Sequence, residues 1–146
     1  MKCLTLTDTE APAVATASEV RLPTGLLGFE HLKDYLLFAN PGEEPFCWLQ
    51  VKDKATLAFV VINPFLVAPD YRPDLPQTDV EFLGIEEPDD AVLFNIVTLH
   101  AAGRATVNLK GPIVINRHTL VGKQIVLANA SEYAVEHPLP VSEVNA

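Results

Sequence analysis

Residues 57–70, LAFVVINPFLVAPD, constrain the fold more than any other part of the chain. Val60, Val61 and Ile62 follow one another with no polar residue between them, the pattern of a β-strand buried on both faces. The run halts at Asn63-Pro64, resumes as Phe65-Leu66-Val67 and halts again at Pro69-Asp70. Proline has no N–H to give to a sheet, so each of these prolines belongs at a strand end, an edge or a bulge. The segment is therefore expected to bend beside a core and to place Phe65, Asp70 and Tyr71 where chain meets surface.

Size and charge narrow the class. A chain of 146 residues, 49% of them apolar, is expected to form one domain over residues 1–146 with a core of its own. The net charge is −9. An acidic surface repels phosphate backbones, so the chain is expected to bind no nucleic acid directly, and a basic protein partner suits it better. No apolar stretch is long enough to span a bilayer, and the N-terminus lacks a charged-then-apolar leader pattern, so a cytoplasmic monomer without membrane contact is expected. Cys3 and Cys47 are too few for a disulfide scaffold, and both are expected to be reduced.

The expected fold class is all-β, a small antiparallel Greek-key barrel or sandwich with one or two short helical turns. Strands are expected at residues 35–38, 46–50, 57–62, 91–99, 105–109, 113–116 and 123–127. Turn chemistry separates them at Asn40-Pro41-Gly42, Pro88-Asp89-Asp90, Ala101-Ala102-Gly103, Lys110-Gly111-Pro112 and Val121-Gly122. The best hairpin joins 91–99 to 105–109. Residues 30–33 and 77–83 can each make a helical turn or two, the second stopped by Gly84. Residues 2–6 read as a first strand, 7–18 as a loose connection and 140–146 as a tail.

Patterns that carry chemistry are sparse. His31, His100, His118 and His137 stand in four separate segments without metal-ligand spacing. Cys47 lies between Phe46 and Trp48, as a buried structural thiol would. No nucleophile-elbow, Walker or dinucleotide-binding glycine pattern occurs. Gly25 and Gly28 instead suit a tight backbone path beneath Leu26, Leu27 and Phe29. Neither a catalytic residue, a metal nor a cofactor is expected. Glu43-Glu44, Glu86-Glu87 and Asp89-Asp90 sit beside prolines and read as solvated loop acids. Asp70, Asp74 and Asp79 differ, because Phe65, Tyr71 and Phe82 are near them in sequence; acids beside aromatic anchors suit a docking face for a basic or amphipathic partner. Trp48 and Phe59 read as core.

The segments LPTGLLGFEHL (22–32), YLLF (35–38), PFCWLQ (45–50), LAFVVINPFLVAPDY (57–71), TVNLKGPIVIN (106–116), GKQIVL (122–127) and YAVEHPL (133–139), in this order, resemble the flagellar assembly factor FliW family. The resemblance covers about residues 21–139. It departs at the N-terminus, where the family's strand with a Phe-Gly turn has no counterpart in residues 7–18. The resemblance implies a non-catalytic cytoplasmic regulator that binds newly made flagellin as a chaperone-like partner. It also implies antagonism of CsrA, a small dimeric RNA-binding repressor of flagellin translation, so that synthesis follows export. The expected protein-binding residues are Phe65, Asp70, Tyr71, Asp74, Asn108, Lys110 and Asn116. Asn108 and Asn116 are also open to a structural role, bonding a neighbouring loop's backbone. Replacing Asp70 by Lys and Tyr71 by Ala together is expected to weaken partner binding while leaving the fold intact. A ligand-binding barrel or small β-barrel enzyme is the alternative class.

Overall fold

The computed structural model describes residues 17–54 and 56–139. The expected first strand at 2–6, most of the lead-in and the tail at 140–146 lie outside the described residues. Nine strands and two short helices follow in order: β1 Ser18–Arg21, β2 Asp34–Phe38, β3 Cys47–Val51, β4 Ala58–Ile62, α1 Pro64–Val67, α2 Gln77–Leu83, β5 Ala91–Leu99, β6 Ala105–Val107, β7 Ile113–Asn116, β8 Gly122–Gln124 and β9 His137–Leu139. The all-β, antiparallel expectation holds. β1 and β9 were not among the expected strands. The expected strand at 123–127 is present only as the three residues of β8.

The sheet runs β1-β2-β3-β4-β5-β6-β9, with β7 and β8 branching from β5. The branch lies within β5. Its first half pairs with β7, from Ala91 opposite Asn116 to Phe94 opposite Ile113. Its second half pairs with β4 on one side and with β6 on the other, Val97 facing both Val60 and Val107. Among the described residues the ladder is not closed into a barrel. Across the gap, β1 reaches the start of β8 through a parallel bridge between Arg21 and Val121, and the Arg21 N–H donates to the Leu120 carbonyl at 3.0 Å.

Residues opposite one another in an antiparallel ladder share a face. Following the register from Val20–Tyr35 through Leu37–Leu49–Phe59 and Val61–Ile96 to Phe94–Ile113 puts these side chains on one inner face. Leu93, Asn95, Val97, Val107 and Val114 point the other way. The first five residues of β5 are buried, which is why its sequence, AVLFNIVTL, shows no apolar–polar alternation. Segments 63–90 and 127–134 cover the outer face.

Local chemistry explains how that cover is shaped. The Asn63-Pro64 break does not lead back into an extended run. Phe65-Leu66-Val67 forms a single helical turn instead, with Pro64 in its first turn and the Asn63 side chain accepting the Phe65 N–H at 2.8 Å. The second expected helix forms as read, Gln77–Leu83, and ends at Gly84 in the left-handed region with φ 70°. The other expected helical turn, 30–33, is not helical. Around it Leu26 and Phe29 form an antiparallel bridge, and Gly25 has φ 67° with the Phe29 carbonyl 2.6 Å from where a Cβ would stand. A tight path through this glycine is required.

Candidate functional site

The proline-bent edge, expected as a contact surface, is mostly internal. Tyr71 is 2% exposed. Its hydroxyl donates to the Leu109 carbonyl at 2.6 Å and accepts a longer bond from the Asn95 amide at 3.4 Å. Its ring lies 5.8 Å from Phe65 and 4.8 Å from Tyr133 between centroids. Burial pushes the Tyr71 phenol up to about 12, so it stays protonated as a donor. The reading of Tyr71 as a surface anchor is therefore corrected: it pins the cover segment to the outer face of β5 and β6. The neighbouring backbone is strapped as well. Tyr133 accepts the Arg72 N–H at 2.8 Å, Asn129 accepts the Asp74 N–H at 2.9 Å, and Ala128 donates to the Asp74 carbonyl at 2.8 Å.

The other expected contact residues divide by exposure. Asp70 and Asp74 are exposed, whereas Phe65, Asn108 and Lys110 are half-buried. Asn116 is buried, so a surface contact through it is corrected to a structural one. Its amide donates to the Leu83 carbonyl at 2.8 Å, and its side-chain oxygen accepts the His118 N–H at 2.8 Å and the Thr119 N–H at 3.3 Å. One side chain thus ties the end of α2 to the β7–β8 turn. Asn108 shapes only its own turn before β7, its side-chain oxygen accepting the Lys110 and Gly111 N–H groups at 3.0 and 3.1 Å. Asn95 is fully buried, and its side-chain oxygen has no partner among the described residues.

The remaining candidates for chemistry are dispersed. Cys47 is a free buried thiol pushed up to about 11 by desolvation, too high for a nucleophile. The His100 ring bonds the Thr106 hydroxyl at 2.8 Å, and His118 meets Asp90 at 3.0 Å. Among the described residues no three His, Cys, Asp or Glu side chains stand close enough to hold a metal ion. No described helix is long and apolar enough to cross a membrane.

Two surfaces stand out. The first is electrostatic. Residues 70–90 hold eight carboxylates and a single cation, Arg72, and so account for seven of the nine net negative charges of the chain. Within this belt Phe82 is 51% exposed, with the Lys123 ammonium 5.6 Å from its ring centroid. Lys123 is itself ion-paired to Asp79.

The second surface was not among the expected contacts. At one end of the inner face a notch of about 290 Å³ opens between the 26–29 turn, β4, β5, β8 and residues 135–136. Phe29, Phe59 and Ile96 line it, Leu27 and Val135 stand beside them, and Thr98, Asn108, Gln124 and Glu136 supply its polar atoms. Phe59, expected in the core, is half-buried here and meets Phe29 edge-on at 5.3 Å. Trp48, also expected in the core, is half-buried, and its indole N–H donates to Glu43 at 2.8 Å. Gln124 holds the notch in shape, accepting the Leu27 N–H at 2.9 Å and donating to the Gly111 carbonyl at 3.1 Å. A signal for the notch existed in the sequence: Leu26 and Leu27 are consecutive apolar residues in a glycine-bounded turn, where both cannot face the core.

Fold and surface together define a small antiparallel β protein whose distinctive features are an acidic belt and an apolar notch. Its relatives are clear. The family model described as FliW protein matches residues 5–139. The flagellar assembly factor FliW of Moorella thermoacetica is 38% identical over 122 residues, covering 82% of this chain and 77% of that protein. The one from Treponema denticola is 38% identical over 128 residues, covering 87% and 85%. A crystal structure of the flagellar assembly factor FliW superimposes with a TM-score of 0.75 at 37% identity, over 86% of this chain and 87% of the other. The chain belongs to the FliW family, and its role lies in flagellar assembly.

Proposed function

We propose that this chain is a cytoplasmic, non-catalytic binding protein that holds flagellin as a chaperone-like partner and antagonises the translational repressor CsrA, acting as a monomer. The observation that carries it is the acidic belt of residues 70–90 in a member of a flagellar assembly family. A repressor that grips RNA phosphates presents basic surface, and a concentrated field of opposite sign steers such a partner and fixes its orientation. Asp70 and Asp74, exposed on strapped backbone, are the belt's contact residues, with half-buried Phe65, Asn108 and Lys110 as neighbouring candidates. Two partners that exclude one another, with different affinities, are enough to make synthesis follow export.

Co-purification with flagellin and with CsrA, beside a folded control protein, tests this. Capture of neither partner refutes the proposal. A small-molecule barrel is the second reading, and the notch is its best support. That cavity lies at the bottom of the roughly 300–1,000 Å³ range of ligand sites. Its buried amide, Gln124, is already committed to backbone on both sides, which favours a protein contact over a ligand chamber.

A further inference from the structure

We propose that Asp79 and Phe82 of α2 form a seat for the guanidinium of an arginine side chain on a basic protein partner, and that the chain's own Lys123 holds this seat until the arginine displaces it. The inference deepens the reading of the belt as a contact surface, and only the choice of CsrA as the protein carrying the arginine rests on the function proposed above.

A cation already marks the seat. Asp79 and Phe82 are three residues apart on α2, so their side chains share one face of the helix. Lys123 reaches them from β8, where it stands opposite Val114 on the outer face of the sheet. Its ammonium is ion-paired to Asp79 and lies 5.6 Å from the centroid of the Phe82 ring, within cation–π range. A carboxylate and an aromatic face thus converge on one positive charge. The Asp79 side chain is 12% exposed, and a carboxylate so far out of water needs a cation beside it. Phe82 by contrast is 51% exposed and open to an incoming group.

Lys123 can be exchanged. Its side chain is 29% exposed, on a strand whose ladder partner among the described residues is β7 alone, so it can turn out into water without unpairing the sheet. An ammonium is strongly hydrated and acts as a point charge. A guanidinium is planar and more weakly hydrated, pairs a carboxylate through two N–H groups and stacks on an aromatic face. Arginine therefore gains more from this seat than lysine does, and the released Lys123 regains its hydration. The exchange never strands Asp79, because one cation leaves as another arrives. The belt supplies the attraction: among the described residues Asp79 and Asp90 are its carboxylates with ion-pair partners, and the charge of the others is left to draw a basic partner in.

Lys123→Met keeps the aliphatic stem, removes the charge and so opens the seat. The probes are acetyl-Gly-Arg-Gly-Arg-Gly-amide, the same peptide with citrulline for arginine, and CsrA. The variant is expected to melt below the parent, to regain part of that loss when the arginine peptide is added, and to bind this peptide roughly fivefold more tightly than the parent does. The citrulline peptide is expected to do neither. Lys52→Met, which removes a cation paired to Glu19 outside the belt, is expected to gain nothing, and Phe82→Leu added to Lys123→Met to reduce the gain. A lysine that only fastens α2 to β8 gives the lower melting temperature with no rescue and no tighter binding, and that result overturns the seat. NMR of the lysine ε-methylene groups follows the exchange in the parent itself. Lys123 is expected to take on the signal of a solvated lysine as the arginine peptide saturates the protein; a Lys123 signal that stays in place overturns the exchange, even where the variant fails to fold. CsrA is expected to move the same signal. If the peptide displaces Lys123 but CsrA binds without moving it, the seat stands and CsrA is overturned as its occupant. If the peptide displaces Lys123 and CsrA does not bind the parent at all, the seat stands and the function proposed above fails.

Discussion

The proline-bent edge and the apolar notch hold similar residues and use them in opposite ways. At the edge, the Tyr71 ring packs between Phe65 and Tyr133; its hydroxyl ties the cover segment to Leu109 and Asn95, and the Tyr133 hydroxyl accepts the Arg72 N–H, joining the two cover segments. At the notch, Phe29 and Phe59 also meet edge-on, but Leu27 and Val135 beside them face water. Aromatic residues beside prolines and acids look like an interface in sequence, yet here they consolidate the fold. The exposed apolar surface sits where a glycine-bounded turn leaves leucine facing water. An aromatic residue is available to a partner only if its own fold has no use for it.

The largest test of this contrast is Tyr71→Ala. It removes a buried ring and its hydroxyl, and about 3–5 kcal/mol of stability is expected to go with it, on the scale of other aromatic truncations. The earlier expectation that Asp70→Lys with Tyr71→Ala leaves the fold intact is therefore reversed: the pair is expected to melt well below the parent. Thermal melting read by circular dichroism checks this, and a normal melting temperature would return Tyr71 to the surface. Asn116→Ala comes next. It strands the Leu83 carbonyl and two turn N–H groups, so about 2 kcal/mol is expected, seen as a lower urea midpoint at unchanged slope.

A smaller, pH-dependent effect belongs to Asp90. The His118 contact, and after it the Glu86 and Glu87 N–H groups, hold its carboxyl below the ordinary value of 3.8. A carboxylate lowered on folding adds stability that is present above its unfolded pKa and fades as pH falls through the folded one. Asp90→Asn is thus expected to be less stable than the parent near neutrality, and the gap to close below pH 3.8. Urea midpoints at several pH values measure the gap; one that widens in acid contradicts the assignment. The smallest effect is expected at the notch. Leu27→Ser changes an exposed side chain while its backbone bond to Gln124 stays, so stability should move within about 0.5 kcal/mol. A large loss of stability there would mean that Leu27 is a structural residue and that the two regions do not differ in kind.

Sequence by itself determined much of this protein. Uninterrupted apolar runs, turn residues between them and the Gly84 stop were enough for the antiparallel sheet, the hairpin of β5 with β6 and the helix at Gln77–Leu83, because these follow from backbone chemistry within a few residues. The ordered FliW-like segments were legible for the same reason, being strings and not contacts. That Phe65-Leu66-Val67 coils into a turn is local as well, since Asn63 caps it, but this cap competed with an equally good extended pattern. Tertiary structure decided the rest. That Tyr71 and Asn116 are buried depends on Leu109 and Leu83, separated from them by 38 and 33 residues. The notch joins side chains from the 26–29 turn, β4, β5, β8 and residues 135–136, and no periodicity records that they meet. Burial and proximity are properties of the packed sheet, and only its register brings such distant residues onto one face.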